Sequence, residues 1–221
     1  MAKKRKPLRE SKSLSRNIGS DSPKFEIFIF CEGENSEPTY FSDFAKCSGN
    51  QLISLNIVEG VGVPFTVVSE AVNQKNKLDN KAKKSKDPLD KLFTVWAVFD
   101  EDEHPKIPES FEKARANGVK IAYSNPCIEI WALLHYKKIG SFIHRHAAQR
   151  ELEKYHPPYA KSKGKLICAK TLFGDYDRAK NTAIGIAKSN SEVGDEKANP
   201  YTNVHELLDS ILLYGKNTCK C

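Results

Sequence analysis

The sequence predicts an α/β fold, a mainly parallel sheet with helices on both faces. Two continuous apolar runs of strand length, KFEIFIFC and LFTVWAVF, imply strands buried on both sides. Segments of helical period lie between and after them. The two kinds alternate as β-α-β-α-β-α-β-α through residue 140, the pattern of parallel strands joined by crossover helices.

Each element has its own signal. Lys24–Cys31 alternates and then becomes wholly apolar, as in a central strand. Glu37–Lys46 opens with Pro38 and places Tyr40, Phe41 and Phe44 on one helical face. Gln51–Glu59 alternates as a strand and runs into a loop at Gly60 and Gly62. Phe65–Lys77 predicts a helix, and the lysine-rich stretch up to Asp90 its end plus an exposed loop. Leu92–Phe99 is the second buried strand. Ser110–Ala116 is helical and is stopped by Gly118. Lys120–Tyr123 is a short strand broken at Ser124-Asn125-Pro126. Cys127–Lys138 is an apolar helix that Asn125 is expected to cap, with Pro126 at its first position. Beyond residue 140 the pattern is helical over Phe142–Glu153, Leu172–Lys188 and Thr202–Tyr214, with Thr202 as the last cap. The expected organisation is a basic arm over 1–23, a core over 24–140 and a helical extension over 141–221 packed on that core.

With 39% hydrophobic and 10% aromatic residues, 221 residues suffice for a real core, and 29% charged residues argue for a soluble chain. No apolar run approaches the roughly 20 residues of a membrane span. The start, MAKKRKPLRESKSLSR, has no apolar segment after its charges, so a cytoplasmic location is expected. The six cysteines are scattered and read mostly as buried thiols; the lone close pair, Cys219 and Cys221, lacks the second pair a zinc site would want. The net charge of +7 is uneven: residues 1–24 hold eight Lys or Arg against Glu10 and Asp21, leaving about +1 for the other 197. The arm, with Lys3, Lys4, Arg5 and Lys6, suits phosphate backbones or serves as a solubilising tail.

In open parallel sheets, sites form at the carboxyl ends of strands. Here two buried-type strands end in acids: the first in Glu32-Gly33, the later one in Asp100-Glu101-Asp102. As neighbours, these strands would bring Glu32, Asp100 and Asp102 to one edge. Carboxylate-only donors select a hard cation, Mg²⁺ or Mn²⁺, suited to attack on a phosphodiester. Turn acids at the surface are the plain alternative reading. Glu34 reads as solvent-facing, whereas Glu37 opens the first helix, where a negative charge suits the dipole, with a place in the site as the lesser reading. Gly33 is expected to allow a sharp turn and close approach of a phosphate.

These residues resemble a known family. The Glu-Gly and Asp-x-Asp strand ends look like the Toprim signature. The words CEGENSEPTYF, VFDEDEHP, SNPCIEIWALLHY and NPYTNVHELL, in that order, resemble the RloB-like family over roughly residues 24–214. The resemblance implies a Toprim-like fold and a divalent ion held by Glu32, Asp100 and Asp102. It also implies nucleic-acid cleavage in prokaryotic anti-phage defence (abortive infection), with an ATPase as one partner. OLD-type Toprim nucleases often carry an acid four residues after the strand-end Glu; here that position is Ser36, followed by Glu37. This departure leaves open whether one metal or two are bound. It also leaves open a non-catalytic nucleic-acid-binding or regulatory subunit with a vestigial site. A third class is an interaction module activated by a partner. No GxxxxGK[ST] motif occurs, so ATP hydrolysis would have to come from elsewhere.

Glu129 is the only acid within Cys127–Leu134, so it is either a site member or a hydrogen-bonded structural residue. His104 follows Asp102 closely and reads as a phosphate or metal contact or as a solvated loop residue. His135, on the apolar helix, reads as a core residue. His144 and His146 would point to different sides of one helix and are discounted as a metal pair. Lys161, Lys163 and Lys165, with Tyr159 nearby, suit contact with a nucleic-acid strand or form an exposed basic loop. One of them, Lys161 first, could stabilise transition-state charge.

Overall fold

The structure is a computed structural model and describes residues 24–101, 104, 106–160 and 164–214. The basic arm and the Cys219-Lys-Cys221 end lie outside the described residues. Strand β1, Phe25–Cys31, is central. It pairs in parallel with β2, Ile53–Val58, on one side and with β3, Phe93–Asp100, on the other. β4, Lys120–Asn125, continues the parallel set beside β3. β5, Tyr201–Thr202, adds an antiparallel edge, giving the order β2-β1-β3-β4-β5.

The period-2 pattern of β1 sorts its side chains onto two cores. Ile27, Ile29 and Cys31 face one layer, and Phe28 and Phe30 the other. On the first face lies α1, Ser36–Ser48, which buries Tyr40, Phe41 and Phe44 and ends at Gly49 in the left-handed region (φ 60°). On the second face lie α2, Pro64–Lys84, and α3, Ile107–Ala116. The β1–α1–β2 connection therefore covers one face and β3–α3–β4 the other. The chain leaves neighbouring strands β1 and β3 in opposite directions, which opens a crevice above their carboxyl ends.

Helix α2 runs through the lysine-rich stretch expected to be its end and a loop. Leu78 and Ala82 continue the buried stripe of Val67, Val68, Ala71 and Val72. The intervening Lys and Asp residues face outward, with Lys75 on Asp79 at 2.7 Å. One apolar residue per turn suffices to hold such a segment down.

The remaining helices share the first face. Helix α4, Glu129–Leu134, is buried along its whole length and shorter than the sequence suggested. Around it pack α5, Arg145–Tyr155; α6, Ala169–Leu172; α7, Tyr176–Glu192; and α8, Val204–Leu213. Trp131, Leu152, Tyr176, Ala183 and Leu207 join Tyr40 and Phe44 in one continuous core. Neither expected cap forms. Asn125 still belongs to β4, where it pairs with Tyr201, and its amide donates to the Lys197 carbonyl at 2.9 Å. Thr202 lies in β5, one residue outside the Asn203 cap of α8, although its Oγ1 accepts the Val204 N–H at 3.3 Å. Asn203 clips this edge to β4: it accepts from Tyr123 N at 2.7 Å and donates to the Ile121 carbonyl at 2.9 Å. Among the described residues, Cys31 and Cys127 are buried free thiols, and no helix is long and apolar enough to cross a membrane.

Candidate functional site

The strand ends meet as their sequence positions suggested. Glu32 follows β1 directly; its N–H extends the ladder to the Val98 carbonyl at 3.1 Å. Its Oε2 accepts the backbone N–H of Asp100, the last residue of β3, at 3.4 Å. Two further acids arrive from helix starts. Glu37, in the first turn of α1, folds its carboxylate back over Gly33, where any Cβ would collide with it. The chain bends over residues 32–35, as expected, without Gly33 entering the left-handed region, and the Glu37 carboxylate lies where a Cβ at this glycine would sit. Glu129 opens α4 and is only 7% exposed. Its Oε1 accepts from the Tyr159 hydroxyl and, at 3.4 Å, from Gln149 Nε2.

Two of these carboxyls, Asp100 and Glu37, are shifted upward. Burial pushes the Asp100 carboxyl well above the usual carboxylate range, and the charges of Glu37 and Glu129 push it further. Arg145 and the Ile128 N–H, which bonds the Asp100 carboxylate, oppose that rise. Glu37 is also raised, first by burial and then by Glu129, against its own backbone N–H and Arg145. Arg145, the first residue of α5, places Nη2 3.9 Å from Asp100 Oδ2 and donates to the carbonyls of Pro126 at 3.2 Å and Glu101 at 3.4 Å. Arg145 thus lies among the acids, held by backbone oxygens on its other side.

The donor set is oxygen-only and suits a hard divalent cation. Among the described residues, however, no three side chains converge closely enough to hold an ion as they stand. Asp102, the third expected ligand, lies outside the described residues, as do Lys161 and Lys163. Lys165 is described, and it points inward: Nζ donates to Gln149 Oε1 at 3.1 Å, the same amide that reaches Glu129. Its carbonyl accepts from Ser36 Oγ at 3.2 Å. Tyr159 is fully buried and spends its hydroxyl on Glu129, so it is no platform for a base; a Pro-Pro turn has folded it under the site. His104 lines an open cleft beside the acids, together with Glu101, Phe142, His144, Arg145 and His146. His135 is a core residue, its Nδ1 bonded to the Trp131 carbonyl at 3.0 Å.

Sequence reasoning missed Arg145, Gln149 and the role of Tyr159. The one local hint for Arg145 was its place between two histidines, which the helix-spacing argument set aside. Only one of the two residues, His146, sits on the helix. His144 instead caps α5 from outside, accepting the His146 N–H on Nδ1 at 3.3 Å, and the two rings lie 5.3 Å apart.

Fold and site together define an α/β protein with four acids gathered at the switch point of a mostly parallel sheet. The chain belongs to the RloB-like family, whose model matches residues 27–211. No curated protein and no solved structure matches it significantly.

Proposed function

We propose that this chain is a Toprim-type nuclease that uses Mg²⁺ or Mn²⁺ to hydrolyse nucleic-acid phosphodiesters in prokaryotic anti-phage defence. One observation carries the reading. Glu32, Glu37, Asp100 and Glu129 meet at the carboxyl ends of adjacent parallel strands, with Asp100 and Glu37 pushed up by burial and by the other acids. Such mutual repulsion is a cost to the fold that a bound cation relieves, and perturbed carboxyls of this kind cluster at functional sites.

Glu32 and Asp100 are the proposed principal ligands, with Glu37 and Glu129 beside them and Asp102 following from the same strand end. A divalent ion bound there supplies Lewis-acid activation of the phosphodiester and of a water. The chain's own groups do the rest. Tyr159 and Gln149 hold the Glu129 carboxylate in one orientation. Arg145 offers a guanidinium to the charge that develops on a transferring phosphoryl group.

The test is cleavage of single- and double-stranded DNA and RNA with Mg²⁺ or Mn²⁺ by wild type, Glu32→Gln and Asp100→Asn. Loss of at least about 100-fold in each variant is expected, the scale of removing one preorganised electrostatic group. Equal cleavage by all three overturns the assignment. The position of Arg145 favours a second reading, in which its guanidinium replaces the ion in a binding or regulatory subunit. Nucleic-acid binding without cleavage, and no effect of Mg²⁺ on melting, would favour that reading.

A further inference from the structure

Beside the acids lies a cleft of about 580 Å³, within the range of about 300–1,000 Å³ typical of small-ligand sites. Its wall carries an unusual residue. Phe142 is 74% exposed, standing in the turn before α5 with its ring in solvent. Around it are His104, His144 and His146, and Arg145 joins the cleft to the acid cluster. Because His144 Nδ1 accepts the His146 N–H, its Nε2 carries the hydrogen and is a donor. Glu101 also lines the cleft, but its carboxylate accepts from the Tyr123 hydroxyl. The wall thus offers the exposed aromatic face of Phe142 and, on either side of Arg145, the rings of His144 and His146.

We infer that this cleft is the subsite for an unpaired nucleotide next to the scissile phosphate, so that the substrate is single-stranded nucleic acid. The inference rests on the nuclease reading and names its substrate class. Phe142 stacks on the base, and the histidines donate to the neighbouring phosphate. An exposed ring stacks on a base face where one is presented. A duplex hides those faces inside its own stack, whereas a single strand or a looped-out base presents them. The cleft is contiguous with the acids through Arg145 and Glu101, so a base seated there leaves its phosphate at the carboxyl ends of β1 and β3.

The probe is a fluorescein-labelled single-stranded oligonucleotide, as DNA and as RNA, titrated by anisotropy in EDTA so that binding is read without cleavage. Phe142→Ala is expected to raise Kd for the single strand about tenfold, the scale of losing one base–aromatic stack, and to leave duplex affinity unchanged. Phe142→Trp should restore binding, and the paired His144→Ala, His146→Ala variant should weaken it by a smaller factor. Phe142 is exposed, so the alanine variant should melt like wild type. Equal single-strand affinity of Phe142→Ala and wild type, or an equal loss on duplex, overturns the subsite. The two proposals fail separately. Metal-dependent cleavage whose KM ignores Phe142 sinks the subsite alone. Phe142-dependent binding with no cleavage of any substrate sinks the nuclease alone. The DNA and RNA arms decide the sugar.

Discussion

The two ends of α4 bury polar groups under opposite rules. Toward α7 and α8, Trp131 Nε1 donates to Tyr40 at 2.7 Å, and His135 bonds the Trp131 carbonyl. Burial pushes His135 down to about 4, so it stays neutral through the physiological range. Tyr176 completes that region with a 2.8 Å bond to Asp209, itself held by Lys180. Two residues before Trp131, Glu129 faces Glu37 and Asp100, and like charges meet with one guanidinium among them. One end is neutral or ion-paired, although among the described residues His135 Nε2 and His205 Nδ1 are buried without a hydrogen-bond partner. The other keeps acids together at a cost. That contrast is the ground for placing the proposed site at the acids and not at the histidines.

The largest effect expected from this contrast is an inversion of rank. Trp131→Ala should lower unfolding stability by about 3–5 kcal/mol, the cost of emptying a large buried site. Glu129→Gln should change it by about 1 kcal/mol or less, because the glutamine carbonyl still accepts from Tyr159 and a charge is removed. For metal-dependent cleavage the order reverses, with Glu129→Gln severely impaired. Urea denaturation and cleavage assays on both variants measure this. A Glu129→Gln variant as unstable as Trp131→Ala would make the acid a structural residue.

Next comes Asp100→Asn, with a sign fixed by the direction of the shift. The folded-state Asp100 carboxyl is raised above its unfolded value, so its ionisation opposes folding. Stability is therefore fully present below the ordinary carboxyl range and lost as pH rises through the raised value. Metal-free Asp100→Asn should melt like wild type near about pH 4 and above it near about pH 8, by order 1 kcal/mol or about 2–4 °C. Buried His135, His156 and His205 are lowered and destabilise the fold as pH falls, but they do so equally in both proteins. Mg²⁺ should raise wild-type melting more at alkaline than at acid pH and act weakly on the variant. A variant less stable than wild type at every pH would mean that Asp100 is paired, not strained.

The acids were legible in the sequence because their signals are local. A charge directly after a buried strand is a strand-end residue, and one acid in an apolar segment needs a partner. Glu32, Asp100 and Glu129 were candidates on that logic alone; the sequence left open whether the first two strands are neighbours, and the structure pairs them as β1 and β3. The partners were not legible. Arg145, Gln149 and Tyr159 come from turns and a helix beyond residue 140, and only packing of α5 against α4 turns them toward Glu129 and Asp100. β5 escaped because two residues after a proline carry no alternation to detect. The length of α2 escaped because lysines hid its apolar stripe.

The smallest expected effect concerns Gly33, and it separates shape from charge. Its φ lies outside the region that favours glycine, so through conformation alone an alanine there stabilises the fold by about 1 kcal/mol or less. The new Cβ meets only the end of the Glu37 side chain, which can rotate away. Moving Glu37 out relieves part of the repulsion on Asp100. Gly33→Ala should therefore melt close to wild type, with a narrower difference between acid and alkaline melting, while metal-dependent cleavage falls. Adding Glu37→Gln to Gly33→Ala should narrow that difference little further, since the charge has already left. If Gly33→Ala instead unfolded the protein by several kcal/mol, the glycine would be serving the turn after β1, and Glu37 would be a bystander beside it.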